Sequence, residues 1–204
     1  MSLKETLLPL TGRRSTINLR GPAPDDAELA EIFAAAMRAP DHGRLRPWRF
    51  VVVRAEGLAA LADLLQRAWI ARDPGVNPAW LERMRARIQG VPMLIALGTR
   101  LTLPHAIPES EQLLSVGAAG MNLLNALHMA GYGGMWVTGG HAYDPTVNAA
   151  FGFTAPDRLA GLFYVGTPVE PQAPPGPPAL SAHVAEWVGA DSAPRPWADA
   201  AAGH

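Results

Sequence analysis

Three short stretches of this 204-residue sequence gather residue types that can hold a small anionic ligand. The first is GRRSTINLR, Gly12–Arg20. Arg13, Arg14 and Ser15 directly after a short helix suit a phosphate, because guanidinium groups give paired charge-assisted hydrogen bonds and the hydroxyl adds another. A solvated basic turn has the same composition, so this stretch decides nothing alone. The second is RAPDHGRLRPWRFVVV, Arg38–Val53. It sets Asp41, His42 and several arginines on the connection between a helix and a strand, where folds commonly keep functional groups. His42 can act as a proton donor, a hydrogen-bond donor or a plain surface residue. Arg38 would also answer the negative end of its helix, and Trp48 would also serve as packing at the start of a strand. The third is GYGGMWVTGG, Gly131–Gly140. Glycines on both sides of a short strand let backbone approach a flat ligand closely, leaving N–H and C=O groups for the edge of a heterocycle.

Other chemistries find no support in the pattern. No G-x-G-x-x-G follows a strand and no G-x-x-x-x-G-K-[ST] occurs, which removes the Rossmann and P-loop readings. The six histidines form no i, i+4 pair on a helix, so no metal site is expected. There is no cysteine, which excludes disulfides and thiolate catalysis and suits a reducing cytoplasm, the expected location. A formal net charge of −1 argues against a nucleic-acid partner. No apolar run reaches the ~18 residues of a membrane span, and the N-terminal stretch lacks the apolar segment of a signal peptide. With 49% hydrophobic residues the chain can bury a sizeable core. Taken together, the three stretches point to a phosphorylated, planar cofactor.

The elements that must position these residues are readable. Leu3–Leu10 forms a short helix. Asp25 caps a second one with Glu28 three residues on, as in a capping box, and Leu29, Ile32, Phe33, Ala36 and Met37 share one helical face before Pro40 ends it. Phe50–Val53 is a strand, and Leu58–Trp69 and Trp80–Ile88 are helices. Pro92–Leu97 is a buried strand. Glu109–Ala130 is apolar nearly all round and reads as a central helix, with Gly117 and Gly120 admitting a close neighbour and Gly131 as its stop. Met135–Thr138 is a strand, Asp144-Pro145 starts a helix ending near Gly152, and Leu159–Val165 is a last core strand. The class is α+β. Two parts are expected: residues 1–170 as the ligand-binding domain, and 171–204 as a Pro-rich arm running over a surface with an Ala-rich tail after Asp191 that is expected to be flexible.

Four segments, in order, resemble the FMN-dependent nitroreductase family, and more narrowly its compact bacterial NAD(P)H nitroreductase group. They are RRS at Arg13–Ser15, MRAPDHGRLRPWRFVVV at Met37–Val53, SVGAAGMNLLNALHMAGYGGMWVTG at Ser115–Gly139, and GLFYVGTP at Gly161–Pro168. They span roughly residues 5–170, and the A-P-D-H…P-W-x-F piece is the most specific. The resemblance implies a mixed, mostly antiparallel sheet surrounded by helices in a homodimer, with two FMN sites at the dimer interface. It implies that Arg13, Arg14 and Ser15 hold the FMN phosphate and ribityl chain, and that Arg38 and His42 reach the same flavin from the partner subunit. Trp136, Val137 and Thr138 would line the cofactor, and Ala126, Leu127, His128, Met129, Ala130 and Gly131 would accommodate the nicotinamide donor. The sequence departs from the wider family in the residues before Pro47-Trp48, where Ser-x-x-Asn-x-Gln is common. It departs from the compact group at Val137-Thr138, where Trp-Arg-Ser is common, so one flavin-facing cation is missing.

The activity the resemblance implies is transfer of electrons from NAD(P)H through FMN to an electron-poor acceptor such as a nitroaromatic or a quinone. The flavin carries the redox chemistry and the protein binds and orients, so no side chain is expected to be catalytic. A specific biosynthetic flavin reductase or dehydrogenase on the same fold, and a flavin-binding protein without turnover, are the competing readings.

Overall fold

A computed structural model describes residues 1–170 and 173–198. Met1–Gln172 and Ala173–His204 form two separate compact units. The first opens with helix α1 (Leu3–Thr11), strand β1 (Leu19–Arg20), helix α2 (Asp26–Ala36) and strand β2 (Trp48–Arg54). Helices α3 (Glu56–Arg72) and α4 (Pro78–Gly90), strand β3 (Met93–Thr99) and helix α5 (Glu109–Met129) follow. Strand β4 (Gly133–Val137), helix α6 (Pro145–Ala150) and strand β5 (Arg158–Pro168) complete it.

Strand β5 is the hub of the sheet. It pairs antiparallel with β3 and with β4 through the same residues, so that Phe163 lies opposite both Ile95 and Trp136. β3 and β4 therefore flank it, β2 joins the outer edge of β3, and β1 pairs with the end of β5. Alternation along the strands feeds two cores. Leu94, Ala96, Leu162 and Tyr164 face the core shared with α3 and α6, while Met93, Ile95, Leu97, Phe163 and Val165 face the one shared with α2 and α5. β3 is buried along its whole length, as expected of a strand with a core on each face. The register shifts between Leu97 and Gly98, where Ala160 is the additional residue of β5. The Ala160 carbonyl left over there accepts a hydrogen bond from Trp136 Nε1 at 3.2 Å.

Local signals set the element ends. The Asp25–Glu28 capping box is present in both directions at 2.9 Å. α5 stops in a Schellman motif: Gly131 has φ 86°, its N–H reaches the His128 carbonyl at 3.0 Å, and the Tyr132 N–H reaches the Leu127 carbonyl at 2.8 Å. Asp144 caps α6 by accepting from the Thr146 and Val147 amides. α5 differs from its sequence expectation. It is buried on one side only, and Leu114, 72% exposed, and Met121, 40% exposed, point away from the core. The second unit carries a short hairpin, strands β6 (Ala185–Glu186) and β7 (Arg195–Pro196), tied by an Arg195–Glu186 ion pair, with Trp187 and Trp197 exposed. The end of the Ala-rich tail, from residue 199, lies outside the described residues. Among the described residues no helix is long and apolar enough to cross a membrane.

Candidate functional site

The RRS turn leaves α1 at Gly12, and Ser15 forms a bridge to Gly134 of β4, with the Thr16 amide donating to the Gly134 carbonyl at 3.3 Å. The glycines at the start of β4 make this possible: a Cβ on Gly133 would stand 2.7 Å from the Thr16 side chain. The Arg13 guanidinium lies 3.5 Å from Ser15 Oγ. Gly12, Arg14, Thr16, His128, Tyr132 and Gly133 line a cavity of about 200 Å³ whose one carboxylate is Glu170. Tyr132 donates to Glu28 Oε2 at 2.7 Å, and that bond, with burial and the charges of Glu28 and Asp25, holds its phenol above the usual 10.0.

The C-terminal end of α5 belongs to this same place. His128 borders the cavity, and Met129 and Ala130 are exposed. Leu127 is fully buried against the sheet, so its side chain contributes packing there. On β4, Trp136 stacks at 5.0 Å and a 30° tilt on Phe163, packs under Gly120 of α5, and spends its N–H on Ala160. Val137 turns to the other core, and Thr138, just past the strand, is exposed.

Arg38 and His42 are not brought to that cavity in this chain. Both are exposed, and His42 Nδ1 contacts Glu111 Oε2 at 2.7 Å at the opposite, N-terminal end of α5. His128 follows Glu111 by seventeen residues of that helix, about 26 Å at ~1.5 Å per residue. The two expected turns thus fall at opposite ends of α5, with Trp136 of β4 against its middle. Between the turns the outward stripe of the helix carries Leu114, Gly117 and Met121, while Asn125 Oδ1 is buried and, among the described residues, has no hydrogen-bond partner.

Sequence reasoning missed Glu111 as the partner of His42. It also missed the backbone of the turn, in which Gly43, Arg44 and Arg46 all have left-handed φ values of 73°, 55° and 50°. Asp41 Oδ2 fixes that backbone by accepting from the Arg46 amide at 2.7 Å, five residues on and beyond the two-residue reach of an Asx turn.

A family model described as the Nitroreductase family matches residues 10–167. The Escherichia coli protein named "Putative NAD(P)H nitroreductase YdjA" is 35% identical over 159 residues, covering 78% of this chain and 86% of that protein. Among solved structures, a nitroreductase-like family protein from Bacillus cereus superposes with a TM-score of 0.80 at 20% identity, over 93% of this chain and 99% of its own. The FMN- and NADPH-dependent nitroreductase NfnB from Sphigopyxis sp. strain HMH superposes with a TM-score of 0.71 at 21% identity, over 93% and 100%. At these identities the two structures speak for the α+β fold, with its antiparallel sheet between helices.

Proposed function

This chain belongs to the Nitroreductase family, and from that premise we propose an FMN-dependent oxidoreductase that takes electrons from NAD(P)H and passes them to an electron-poor acceptor such as a nitroaromatic or a quinone. The observation that carries the reading is the placement of the two polar turns at opposite ends of one outward apolar stripe. The separation of about 26 Å along α5 exceeds the length of an FMN molecule. One chain alone therefore does not wrap a flavin with both turns. If two copies pair α5 against α5 across a two-fold axis, each RRS turn meets the other copy's His42 turn, because an isologous contact sets residue i on j and j on i. The outward Leu114 and Met121, with Gly117 allowing close approach, supply the apolar contact for such a pair.

The residues of the RRS turn and its neighbours fit the cofactor. Arg13 and Arg14 offer charge-assisted hydrogen bonds to a phosphate, and Ser15 and Thr16 stand beside the buried Gly133–Gly134 backbone. When bound, FMN supplies the acceptance of hydride from the donor and its onward delivery. The chain does the rest. Trp136, held by Phe163 and the Ala160 carbonyl, stiffens the strand that leads to the exposed Thr138. His42, oriented by Glu111, presents its remaining ring nitrogen to the slot from the partner subunit, where it can donate a hydrogen bond or a proton. The residues Ala126–Gly131 form the other rim, for the nicotinamide donor.

Purified protein should be yellow, release FMN on denaturation, and oxidise NADPH or NADH with menadione or nitrofurazone present. Colourless protein that takes up no FMN when it is supplied would refute the reading.

A further inference from the structure

We propose that Arg44 and Arg46 form the docking point for a phosphate of the reduced nicotinamide donor, an inference that rests on the flavoenzyme reading above. The argument begins with charge. Four carboxylates lie around the Asp41–Arg46 turn, and each is already engaged. Asp41 holds the Arg46 amide, Glu111 holds His42, Glu109 pairs with Arg158, and Asp157 pairs with Arg100 while accepting from the Leu101 amide. Arg49 turns its guanidinium to the carbonyls of Arg46 and Trp48, both at 2.7 Å. The guanidinium groups of Arg44 and Arg46 are left exposed and, among the described residues, without an ion-pair or hydrogen-bond partner. The short turn thus carries two exposed arginines against the single carboxylate of Asp41, a local positive excess in a chain of net charge −1.

Geometry adds to charge. Both arginines sit in the left-handed region, which non-glycine residues occupy rarely and mostly where a site over-determines the backbone. The turn is pinned from three sides: by Asp41, by Ile107 packing under Gly43, and by the Arg100 amide on the Pro47 carbonyl at 2.6 Å. Two cations two residues apart on a preset backbone match a phosphate monoester, which carries nearly two negative charges at pH 7 and takes paired hydrogen bonds from guanidinium. The turn adjoins His42, which the proposed site puts at the rim of the flavin slot. Donor and acceptor use that slot in turn. The donor always carries phosphates, whereas a quinone carries none.

The test replaces both arginines by asparagine, which removes the charge and tolerates the left-handed backbone. With a fixed quinone acceptor, kcat/KM is measured for NADPH, NADH and an N-benzyl dihydronicotinamide that has no phosphate. The kcat/KM for NADPH relative to the benzyl donor should fall about ten- to a hundredfold, the loss expected for one or two charge-assisted contacts. A fall confined to NADPH assigns the pair to the ribose 2′-phosphate. Equal falls for NADH and NADPH assign it to the pyrophosphate. An unchanged ratio, including equal losses with all three donors, overturns the proposal. Calorimetric titration with adenosine 2′,5′-bisphosphate and with ADP reads the same site without turnover. If no donor is oxidised at all, the flavoenzyme reading falls and the titration alone decides. Binding by the wild type that the Arg44→Asn/Arg46→Asn variant loses, and Arg44→Lys/Arg46→Lys partly keeps, then sustains the phosphate site, and absence of binding to the wild type removes it.

Discussion

If the site is shared between two copies, damage at one end of α5 is repaired from the other chain. Arg13→Ala removes one phosphate contact, which costs on the order of 1.5–3 kcal/mol or roughly ten- to a hundredfold in FMN affinity. His42→Ala removes the group that Glu111 orients at 2.7 Å. In each parent homodimer both sites carry the same lesion. After subunit exchange, one site of every hybrid combines Arg13 from the His42→Ala chain with His42 from the Arg13→Ala chain and is intact, while the other carries both lesions. Random mixing makes about half of the dimers hybrid, so about a quarter of all sites should recover when the two sites act independently. Activity is read at an FMN concentration that saturates the wild type and leaves the Arg13→Ala parent largely empty. With hybrids confirmed by native mass spectrometry and both parents impaired, recovery near zero refutes the cross-subunit assignment. The seventeen-residue separation along α5 would then place His42 outside any flavin site bounded by Arg13.

Three further outcomes follow from packing and protonation. Trp136→Ala should destabilise the fold by about 3–5 kcal/mol in chemical denaturation, because it empties the space between Phe163 and Gly120 and orphans the Ala160 carbonyl; a change under 1 kcal/mol would mean the ring serves mainly the ligand. Gly98→Ala should cost about 1–3 kcal/mol, since its Cβ would fall 2.1 Å from Phe153 Cζ, and Phe153→Leu in the same chain should return part of it. Burial, and then the Arg72 charge, holds the His141 imidazole below its ordinary 6.5, so the unfolded chain takes up the proton first and stability falls as pH drops below about 6.5 towards the lowered folded value. Urea midpoints across that range should show the fall, and His141→Gln should flatten it.

What could be read from the sequence divides by range. Signals confined to a few neighbouring residues were correct: Asp25 with Glu28 as a two-way cap, Gly131 as the left-handed stop of α5, Asp144-Pro145 as the start of α6. The apolar runs of β3 and β5 identified the centre of the sheet, because a strand with a core on each face leaves no polar position to confuse the reading. β1 escaped because two residues carry no period. α5 was read as enclosed because its composition is apolar all round, whereas this chain covers one face only. Composition does not say whether the remaining apolar face meets the same chain or another.

The residue types of the candidate site could be read from the sequence as expectations, and the contacts between them could not. His42 and Glu111 are 69 residues apart, and nothing in either segment announces the pair. The left-handed backbone at Arg44 and Arg46 is equally silent, since arginine has no preference for it; the conformation is imposed by Asp41, Ile107 and the Pro47 carbonyl from outside the two residues. Helix α5 converts these separate turns into one argument. Its length sets its two ends about 26 Å apart, which under the proposed pairing of two copies in opposite orientation brings each turn to the other copy's partner turn. On the proposed reading the residue types supply the polar groups, and the helix length is what puts a flavin held by both turns between two chains.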